Sequence, residues 1–273
     1  MSEKLSAKMI KQLIRKALNT LPRPVLQHAA GILVPIAGLA YAGRGRECPV
    51  CGARLRRFMP YGYVTVREDA LCPRCLSLER HRLLWMYMQR CGVAQRSFDE
   101  LPRHGEVLLH IAPEACIKKP LRKAVEKAGG RYVTADLESP LADLHFDVQQ
   151  IPLPDGYADV IICNHLLEHV ADDRRALAEL FRIMKPGGCG VMLSPVDESR
   201  AETFEDDSIT DPAERTRLFG QYDHRRIYGR DYPERLRSAG FEVEIVDFAA
   251  QLTAEERTLR SVSNEKIYAV RKP

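Results

Sequence analysis

From residue 105 onward, short apolar runs alternate with segments whose apolar residues recur at helical spacing. The short runs predict strands, and the amphipathic segments between them predict helices. The predicted helices are Lys118–Ala128, Asp172–Met184 and Asp231–Ala239. The predicted strands are Glu106–Ile111, Arg131–Ala135, His145–Val148, Ala158–Cys163, Cys189–Pro195, Phe241–Phe248 and Lys266–Arg271. This alternation predicts an α/β fold built on a doubly wound, mostly parallel, seven-stranded sheet.

Polar residues follow the predicted strands where each strand ends. Asp136 follows the second strand and can accept hydrogen bonds from both hydroxyls of a ribose, and Asp147 and Val148 lie where an adenine edge would be held. Behind the fourth strand come Asn164, His165, Glu168 and His169. Because ligands of such sheets bind across the carboxyl ends of the strands, we expect these residues to lie at one site.

The same stretch carries sequence motifs of a known family. They are YVTADLE around Asp136, DVQQIPLPDGYADVIICNHLLEHV, and ALAELFRIMKPGG before the fifth strand. Over roughly residues 105–250 the chain resembles the type 11 branch of the class I methyltransferases. The resemblance implies S-adenosyl-L-methionine as cofactor, with Asp136 on its ribose, Asp147 and Val148 on its adenine, and Asn164 at the same edge.

The turn after the first strand departs from the family. The family has an acidic residue and then a glycine-rich turn, whereas this chain has His110, Ala112, Glu114 and Cys116 at the corresponding positions. Glycine lets the backbone approach a ligand closely, so its loss predicts a remodelled turn. We assign His110, Ala112 and Glu114 to cofactor binding, with Glu114 on the methionine ammonium directly or through water. The alternative is a fold that no longer binds the cofactor, and the intact ribose and adenine positions argue against it.

Methyl transfer needs a general base only where the acceptor loses a proton as it attacks. His165 is closer to the strand end than His169 and is the better candidate for that base. In the family, the histidine of the Leu-Glu-His motif often positions the loop. We therefore favour a structural role for His169, beside an assignment to substrate binding.

Residues 196–229 form an insertion after the fifth strand that we expect to shape the acceptor pocket. It places Asp223 and His224 side by side as a second candidate acid–base pair, with Tyr222 and Arg226 as substrate-binding residues. An arginine there could clamp a phosphate or carboxylate with two parallel hydrogen bonds. The alternative is a surface lid held by its own salt bridges.

Two C-x-x-C pairs lie in front of this domain. Cys48, Cys51, Cys72 and Cys75 have the spacing that delivers four thiolates to one Zn²⁺, and a closed four-cysteine site is structural. A strand at Tyr61–Val66 and a helix at Glu79–Gln89 complete the predicted zinc ribbon. The ribbon either packs as a scaffold or presents a basic-aromatic surface to nucleic acid, made of Arg54, Arg56, Arg57, Phe58, Tyr61 and Tyr63.

Charge and composition divide the chain further. Residues 1–103 hold 18 Lys and Arg against 7 Asp and Glu, whereas residues 104–273 hold 23 against 30. Residues 1–43 join a basic amphipathic segment to an uncharged stretch from Pro24 to Gly43. Three interpretations of that extension stay open: a helix pair packed on the protein, peripheral membrane contact, and a spanning helix. The unpaired cysteine usage fits a reducing compartment, so we expect a cytoplasmic protein, with membrane association at the inner face left open.

The sequence therefore predicts three regions: an extension over 1–43, a zinc-ribbon module with its following helix over 44–103, and a methyltransferase domain over 104–273. The favoured function is methylation of a polar small-molecule or glycan-type acceptor. An RNA methyltransferase that binds RNA through the ribbon is the first alternative, and an inactive zinc-ribbon binding protein is the second. The sequence leaves the acceptor atom and the oligomeric state open.

Overall fold

The computed structural model describes residues 38–62, 65–93, 105–140 and 142–273. Its centre is a seven-stranded sheet in the order β12-β13-β9-β8-β5-β6-β7. The strands are β5 (Val107–Ile111), β6 (Arg131–Asp136), β7 (Leu144–His145), β8 (Ala158–Asn164), β9 (Met184–Leu193), β12 (Glu242–Val246) and β13 (Ile267–Arg271). Only β13 runs against its two neighbours, so the predicted mostly parallel seven-stranded sheet is confirmed.

Helices flank this sheet, whose central strands are buried. They are α2 (Ala115–Lys127), α3 (Asp173–Ile183) and α5 (Tyr232–Ser238). A further helix, α6 (Ala254–Arg260), follows β12 and buries none of its side chains. In α2 the buried residues Ile117, Leu121 and Val125 recur every four positions and form one apolar stripe. In α3 the side chain of Asp172 accepts a hydrogen bond from the backbone N–H of Arg175 and so caps the helix.

The predicted boundaries shift by a few residues at three places. Helix α2 begins at Ala115, three residues before its predicted start, although it contains Pro120. Strand β7 has two residues, and β9 begins at Met184, so the Lys-Pro-Gly-Gly turn lies within β9. A register shift between Ala158 and Val160 accommodates this turn in the pairing of β8 with β9.

The region predicted as a zinc-ribbon module, residues 44–103, is called the front module below. In the part of it that the structure describes, there are two small antiparallel hairpins and one helix. Strands β1 (Ala42–Glu47) and β2 (Arg54–Leu55) form one hairpin, and β3 (Met59–Tyr61) and β4 (Arg67–Leu71) form the other. Of the strand predicted at Tyr61–Val66, only Tyr61 lies in a strand, as the end of β3; residues 62, 65 and 66 precede β4 outside any strand, and residues 63 and 64 lie outside the described residues. The predicted helix is confirmed as α1 (Glu79–Cys91), which buries Leu83, Leu84 and Met88.

Arg82 of α1 joins the front module to the domain that contains the seven-stranded sheet. Its guanidinium is fully buried and lies 3.9 Å from the ring centroid of Phe58. It donates to the carbonyls of Ser77 at 2.7 Å and Ala70 at 2.9 Å, and to that of Ser261 at 2.6 Å. A buried charge is stable only when its donors are satisfied, so these bonds fix the module against the residues after α6. Phe58 is therefore buried and unavailable to the basic-aromatic surface predicted for nucleic acid.

The insertion after β9 is an ordered substructure. It contains β10 (Phe204–Glu205), α4 (Pro212–Phe219) and β11 (Arg226–Ile227), with β10 paired antiparallel to β11. A short 3₁₀ helix, Ala249–Gln251, follows β12. Within the described residues no helix is both long and apolar enough to cross a membrane. The extension predicted over residues 1–43 lies outside the described residues except for its last six, two of which begin β1. Its interpretations as a packed, membrane-bound or spanning segment therefore stay predictions.

Candidate active site

The remodelled turn after β5 is built around a buried histidine–glutamate pair. His110 is fully buried, and its two ring nitrogens lie 2.8 Å from the hydroxyl of Tyr132 and 2.7 Å from the carboxylate of Glu114. Burial opposes ionisation of Glu114, but the hydrogen bond and charge of His110 outweigh it and lower the pKa of Glu114 to about 2. Because both ring nitrogens are occupied within the protein, His110 positions Glu114, and the cofactor-binding role assigned to His110 stays a prediction.

Ala112 takes the place of a glycine in this turn. Its φ of 48° lies in the left-handed region, which glycine adopts freely and alanine adopts at a cost. Its backbone N–H donates to the carbonyl of Ala135 at 2.8 Å, which holds the turn against the end of β6. The backbone conformation that glycine normally supplies is thus present without glycine.

Asn164 links this turn to the end of β8. Chain order reverses between β5 and β8, which makes this the switch point of the sheet. The Asn164 amide is buried and donates to Glu114 at 3.2 Å. Its carbonyl oxygen is buried and has no hydrogen-bond partner within the described parts of the chain. A buried acceptor of this kind suits a ligand that brings a donor.

The predicted ribose and adenine residues lie at neighbouring strand ends. One carboxylate oxygen of Asp136 accepts from the backbone N–H groups of Glu138 at 3.0 Å and Ser139 at 2.8 Å, which fixes the side chain at the end of β6. Asp147 accepts in the same way from the N–H of Gln149 at 2.8 Å, and Val148 is buried beside it. Both carboxylates are oriented by their own loops before any ligand binds.

His165 begins the segment after β8 in a left-handed conformation, with a φ of 50°. Its Nδ1 lies 3.5 Å from Glu168, and its Nε2 is 3.9 Å from Glu265 without a hydrogen-bond partner among the described residues. Glu168 is 2% exposed and accepts from the hydroxyl of Ser194 at 3.1 Å. Burial would raise its pKa, yet the neighbouring His165 and His169 lower it, so Glu168 is an anion behind His165.

The insertion brings two of its predicted residues to this cluster. Asp223 lies 3.4 Å from Nδ1 of His169. The ring of His224 stands edge-on to that of His169, with centroids 4.7 Å apart, and its Nδ1 is 3.0 Å from the carbonyl of Phe219. Burial lowers the pKa of His224, which favours the neutral ring. Tyr222 is 57% exposed and lies on the rim.

Arg226 does not have the clamp role predicted for it. It is 3% exposed, and its guanidinium donates to the carbonyls of Leu167 at 2.8 Å, Val170 at 2.7 Å and Ala171 at 3.0 Å. Its Nε donates to Glu205 at 2.9 Å. Four of its five N–H groups donate within the protein, so Arg226 anchors the insertion to the loop after β8.

A cavity of about 810 Å³ opens beside this cluster. His165, Glu168, His169 and His224 line one wall. The other walls hold charged residues that the sequence did not indicate: Arg67, Glu68, Glu79 and Arg80 of the front module, and Glu265 and Lys266 before β13. Because β13 is antiparallel to β9, the segment that enters it arrives at the carboxyl edge of the sheet. A prediction that the last strand is antiparallel would therefore have indicated Glu265 as a residue at this edge.

The four cysteines of the two C-x-x-C pairs converge in the front module. Their sulfur atoms all lie within 4.8 Å of one another, with 3.6 Å between Cys48 and Cys75 and 3.9 Å between Cys51 and Cys72. A tetrahedral ion with Zn–S bonds of about 2.3 Å requires sulfur atoms about 3.8 Å apart. The donor set and its spacing therefore fit one tetrahedral metal ion.

Comparison with known proteins gives the class of this domain. Residues 91–192 match the model of a family described as "Methyltransferase domain". This segment holds β5 to β9 with the site at their carboxyl ends, and it is similar to methyltransferase domains.

Individual relatives agree with this class. The chain is 30% identical to the ubiquinone/menaquinone biosynthesis C-methyltransferase of Caulobacter vibrioides, over 38% of this chain and 51% of that protein. It is 28% identical to the 27-O-demethylrifamycin SV methyltransferase of Amycolatopsis mediterranei, over 48% and 46%. The chain thus spans about half the length of these curated relatives.

Solved structures show more distant likenesses. The [4+2]-cyclase SpnF is 17% identical, with a TM-score of 0.48 and coverage of 90% of this chain and 96% of that one. An S-adenosylmethionine-dependent methyltransferase from Mesorhizobium loti is 15% identical, with a TM-score of 0.41 and coverage of 63% and 93%.

Proposed function

We propose that this protein transfers the methyl group of S-adenosylmethionine to a polar small-molecule or glycan-type acceptor held in the cavity beside His165. The observation that carries the proposal is the position of His165. It follows the cofactor edge of β8, lines the cavity, and is backed by the buried anion of Glu168. Such a histidine can take a proton from an acceptor while the carboxylate stabilises the resulting imidazolium.

The cofactor would lie across the ends of β5, β6 and β8. Asp136 would accept hydrogen bonds from the ribose hydroxyls, and the loop of Asp147 and Val148 would hold the adenine. Glu114, kept ionised by His110, supplies a negative charge for the methionine ammonium. The buried carbonyl oxygen of Asn164 adds a second acceptor at the same place.

The chain's residues have a defined task in the reaction. Bound S-adenosylmethionine would supply the methyl group to an acceptor oxygen or nitrogen as its bond from carbon to sulfonium sulfur breaks, with S-adenosylhomocysteine as the second product. The proton of the acceptor passes to Nε2 of His165, whose Nδ1 faces Glu168. Most of the acceleration comes from holding the two reactants in line, which the walls of the cavity provide.

We also propose that the four-cysteine cluster holds one structural Zn²⁺. The fit of the four sulfur atoms to a tetrahedral ion supports it. Four thiolates close the coordination sphere, so this ion would stabilise the front module and take no part in methyl transfer. Through Arg82, that module then holds Arg67, Glu79 and Arg80 on the wall of the cavity.

RNA remains a second candidate acceptor because of one observation. Arg54, Arg57 and Arg74 are exposed on the front module, within a third of the chain that carries a net charge of +11. Such a patch binds phosphate backbones and loses affinity steeply with salt. The mixed signs of the charges around the cavity favour the small-molecule acceptor.

The test is incubation of the full chain with methyl-labelled S-adenosylmethionine and a fractionated cell extract. We expect label in the small-molecule or glycan fraction, and we expect His165→Gln to lower turnover by about 10²–10⁴-fold with cofactor affinity unchanged. Glu255→Gln is the control, because Glu255 is exposed on α6 and does not line the cavity. Label in RNA with a steep salt dependence would transfer the assignment to RNA. Absence of cofactor binding would leave a binding protein on a methyltransferase fold.

A further inference from the structure

Glu168, His169 and His224 form a second cluster of metal-ligating side chains. Each offers one ligand atom, and the three atoms all lie within 4.8 Å of one another. Glu168 and His224 are 2% and 9% exposed, so two of the three are shielded from bulk water. This cluster lies on the wall of the cavity, apart from the four-cysteine cluster of the front module.

Both imidazoles are oriented through the nitrogen that a metal would not use. Nδ1 of His169 lies 3.4 Å from the carboxylate of Asp223, and its Nε2 is 4.0 Å from Glu168. Nδ1 of His224 lies 3.0 Å from the carbonyl of Phe219, so that nitrogen carries the proton and Nε2 carries the lone pair. Metal-binding histidines in proteins are held in this way, by a carboxylate or a carbonyl on the second nitrogen.

The charge states of these side chains also favour a bound cation. Neighbours lower the pKa of Glu168, and burial lowers the pKa of His224. An anion and the neutral ring of His224 thus meet at one place. The lone pair of such a ring repels a carboxylate unless a proton or a cation lies between them. A cation would remove this repulsion.

We propose that Glu168, His169 and His224 bind one divalent transition-metal ion. Two imidazoles and one carboxylate are a ligand set used for zinc, manganese and iron, and three protein ligands leave further positions open. Ligand atoms around an ion at about 2.1 Å lie about 3.4 Å apart in a tetrahedron, so Nε2 of His169 and Glu168 would close by about 0.6 Å. All three side chains line the cavity.

The inference rests on the proposed function only for the role of the ion in acceptor binding, and it is otherwise independent of that function. If the cavity holds the acceptor, an acceptor hydroxyl would be the further ligand of the ion, which would favour oxygen acceptors over carbon acceptors. A bound cation lowers the pKa of a coordinated hydroxyl, so His165 would remove its proton more readily. Metal binding by the free protein does not depend on that role.

The test is a titration of the dialysed full chain with Mn²⁺ in the absence of cofactor. Electron paramagnetic resonance measures the free Mn²⁺ at each addition. Manganese prefers oxygen and nitrogen ligands to thiolates, so the probe distinguishes this cluster from the four cysteines. We expect one Mn²⁺ per chain, at least tenfold weaker binding in His169→Gln and in His224→Gln, and about 10–100-fold weaker binding in Asp223→Asn. His145→Gln, an exposed histidine outside the cluster, should bind like wild type.

Two results would overturn the inference: no Mn²⁺ bound by the wild-type chain, or unchanged affinity in both histidine variants. Circular dichroism and the thermal midpoint establish that each variant is folded. If His224→Gln fails to fold, His169→Gln and Asp223→Asn, whose side chains are partly exposed, carry the test. Mn²⁺ binding without methyl transfer would contradict the proposed function alone, and methyl transfer without Mn²⁺ binding would contradict this inference alone.

Discussion

Replacement of Arg226 tests whether the insertion is held by the buried network described above. Its guanidinium makes four charged hydrogen bonds, three to carbonyls of residues 167–171 and one to Glu205. Arg235 binds the same Glu205 at 2.7 Å and also Asp173 at 2.9 Å, so the two arginines share their acidic partners. Removal of one arginine leaves buried acceptors unpaired.

The magnitude follows from these bonds. Breaking a buried ionic network by removing one partner costs about 3–5 kcal/mol. At about 2 °C per kcal/mol for a chain of this size, Arg226→Ala should lower the thermal midpoint by about 6–10 °C. Arg226→Lys should lose roughly half of that amount, because an ammonium cannot reach all four acceptors at once.

The assay is thermal denaturation followed by circular dichroism, with turnover measured well below the transition. Arg217→Lys is the matched control, since Arg217 is 67% exposed and pairs only with Glu214 in the described structure. A wild-type midpoint in Arg226→Ala, together with lost turnover, would refute the anchoring argument. That result would restore the acceptor clamp that the sequence had suggested.

The remaining predictions concern the cofactor edge and the front module. Asp136→Ala should weaken S-adenosylmethionine binding by about 1.5–3 kcal/mol in titration calorimetry, and unchanged affinity would remove the ribose assignment. Cys51→Ser should release the zinc measured by metal analysis and unfold the front module, whereas Cys91→Ser, an exposed cysteine outside the cluster, should do neither. The pKa of Glu114 is lowered to about 2 in the folded chain, so its ionised pairing stabilises the fold above the unfolded pKa of about 4.3 and is lost as the pH falls through 2. Acid titration of Glu114→Gln should therefore show a shallower loss of stability over that window than wild type, and equal slopes would contradict the pairing with His110.

Much of the fold could be predicted because burial repeats locally. A few consecutive residues are enough to predict β5, which is fully buried, and α2, whose buried residues recur every four positions. The predicted ends of strands are wrong where local sequence signals conflict. At Tyr61–Val66 the alternation looks like a strand, yet the chain must reverse there for β3 to pair with β4.

The candidate site was predicted only in its positions along the chain. Asp136, Asn164 and His165 follow strands whose carboxyl ends meet, so their proximity is a consequence of topology. The hydrogen-bond partners of the site residues, by contrast, come from segments that are distant in sequence. His110 occupies the family's acidic position, but whether it touches a cofactor or orients Glu114 depends on Tyr132 across the next strand.

The sequence by itself determined the approximate positions of most strands and helices, the residues that follow each strand, and the convergence of four cysteines, because these depend on periodicity and short spacings. Only the tertiary structure decided that Arg226 is an anchor, that Glu168 lies behind His165, and that the front module forms a wall of the cavity. The bond from Arg82 to the carbonyl of Ser261 joins residues 179 positions apart. No local pattern encodes such a contact, because its energy arises only after the sheet has brought both segments together.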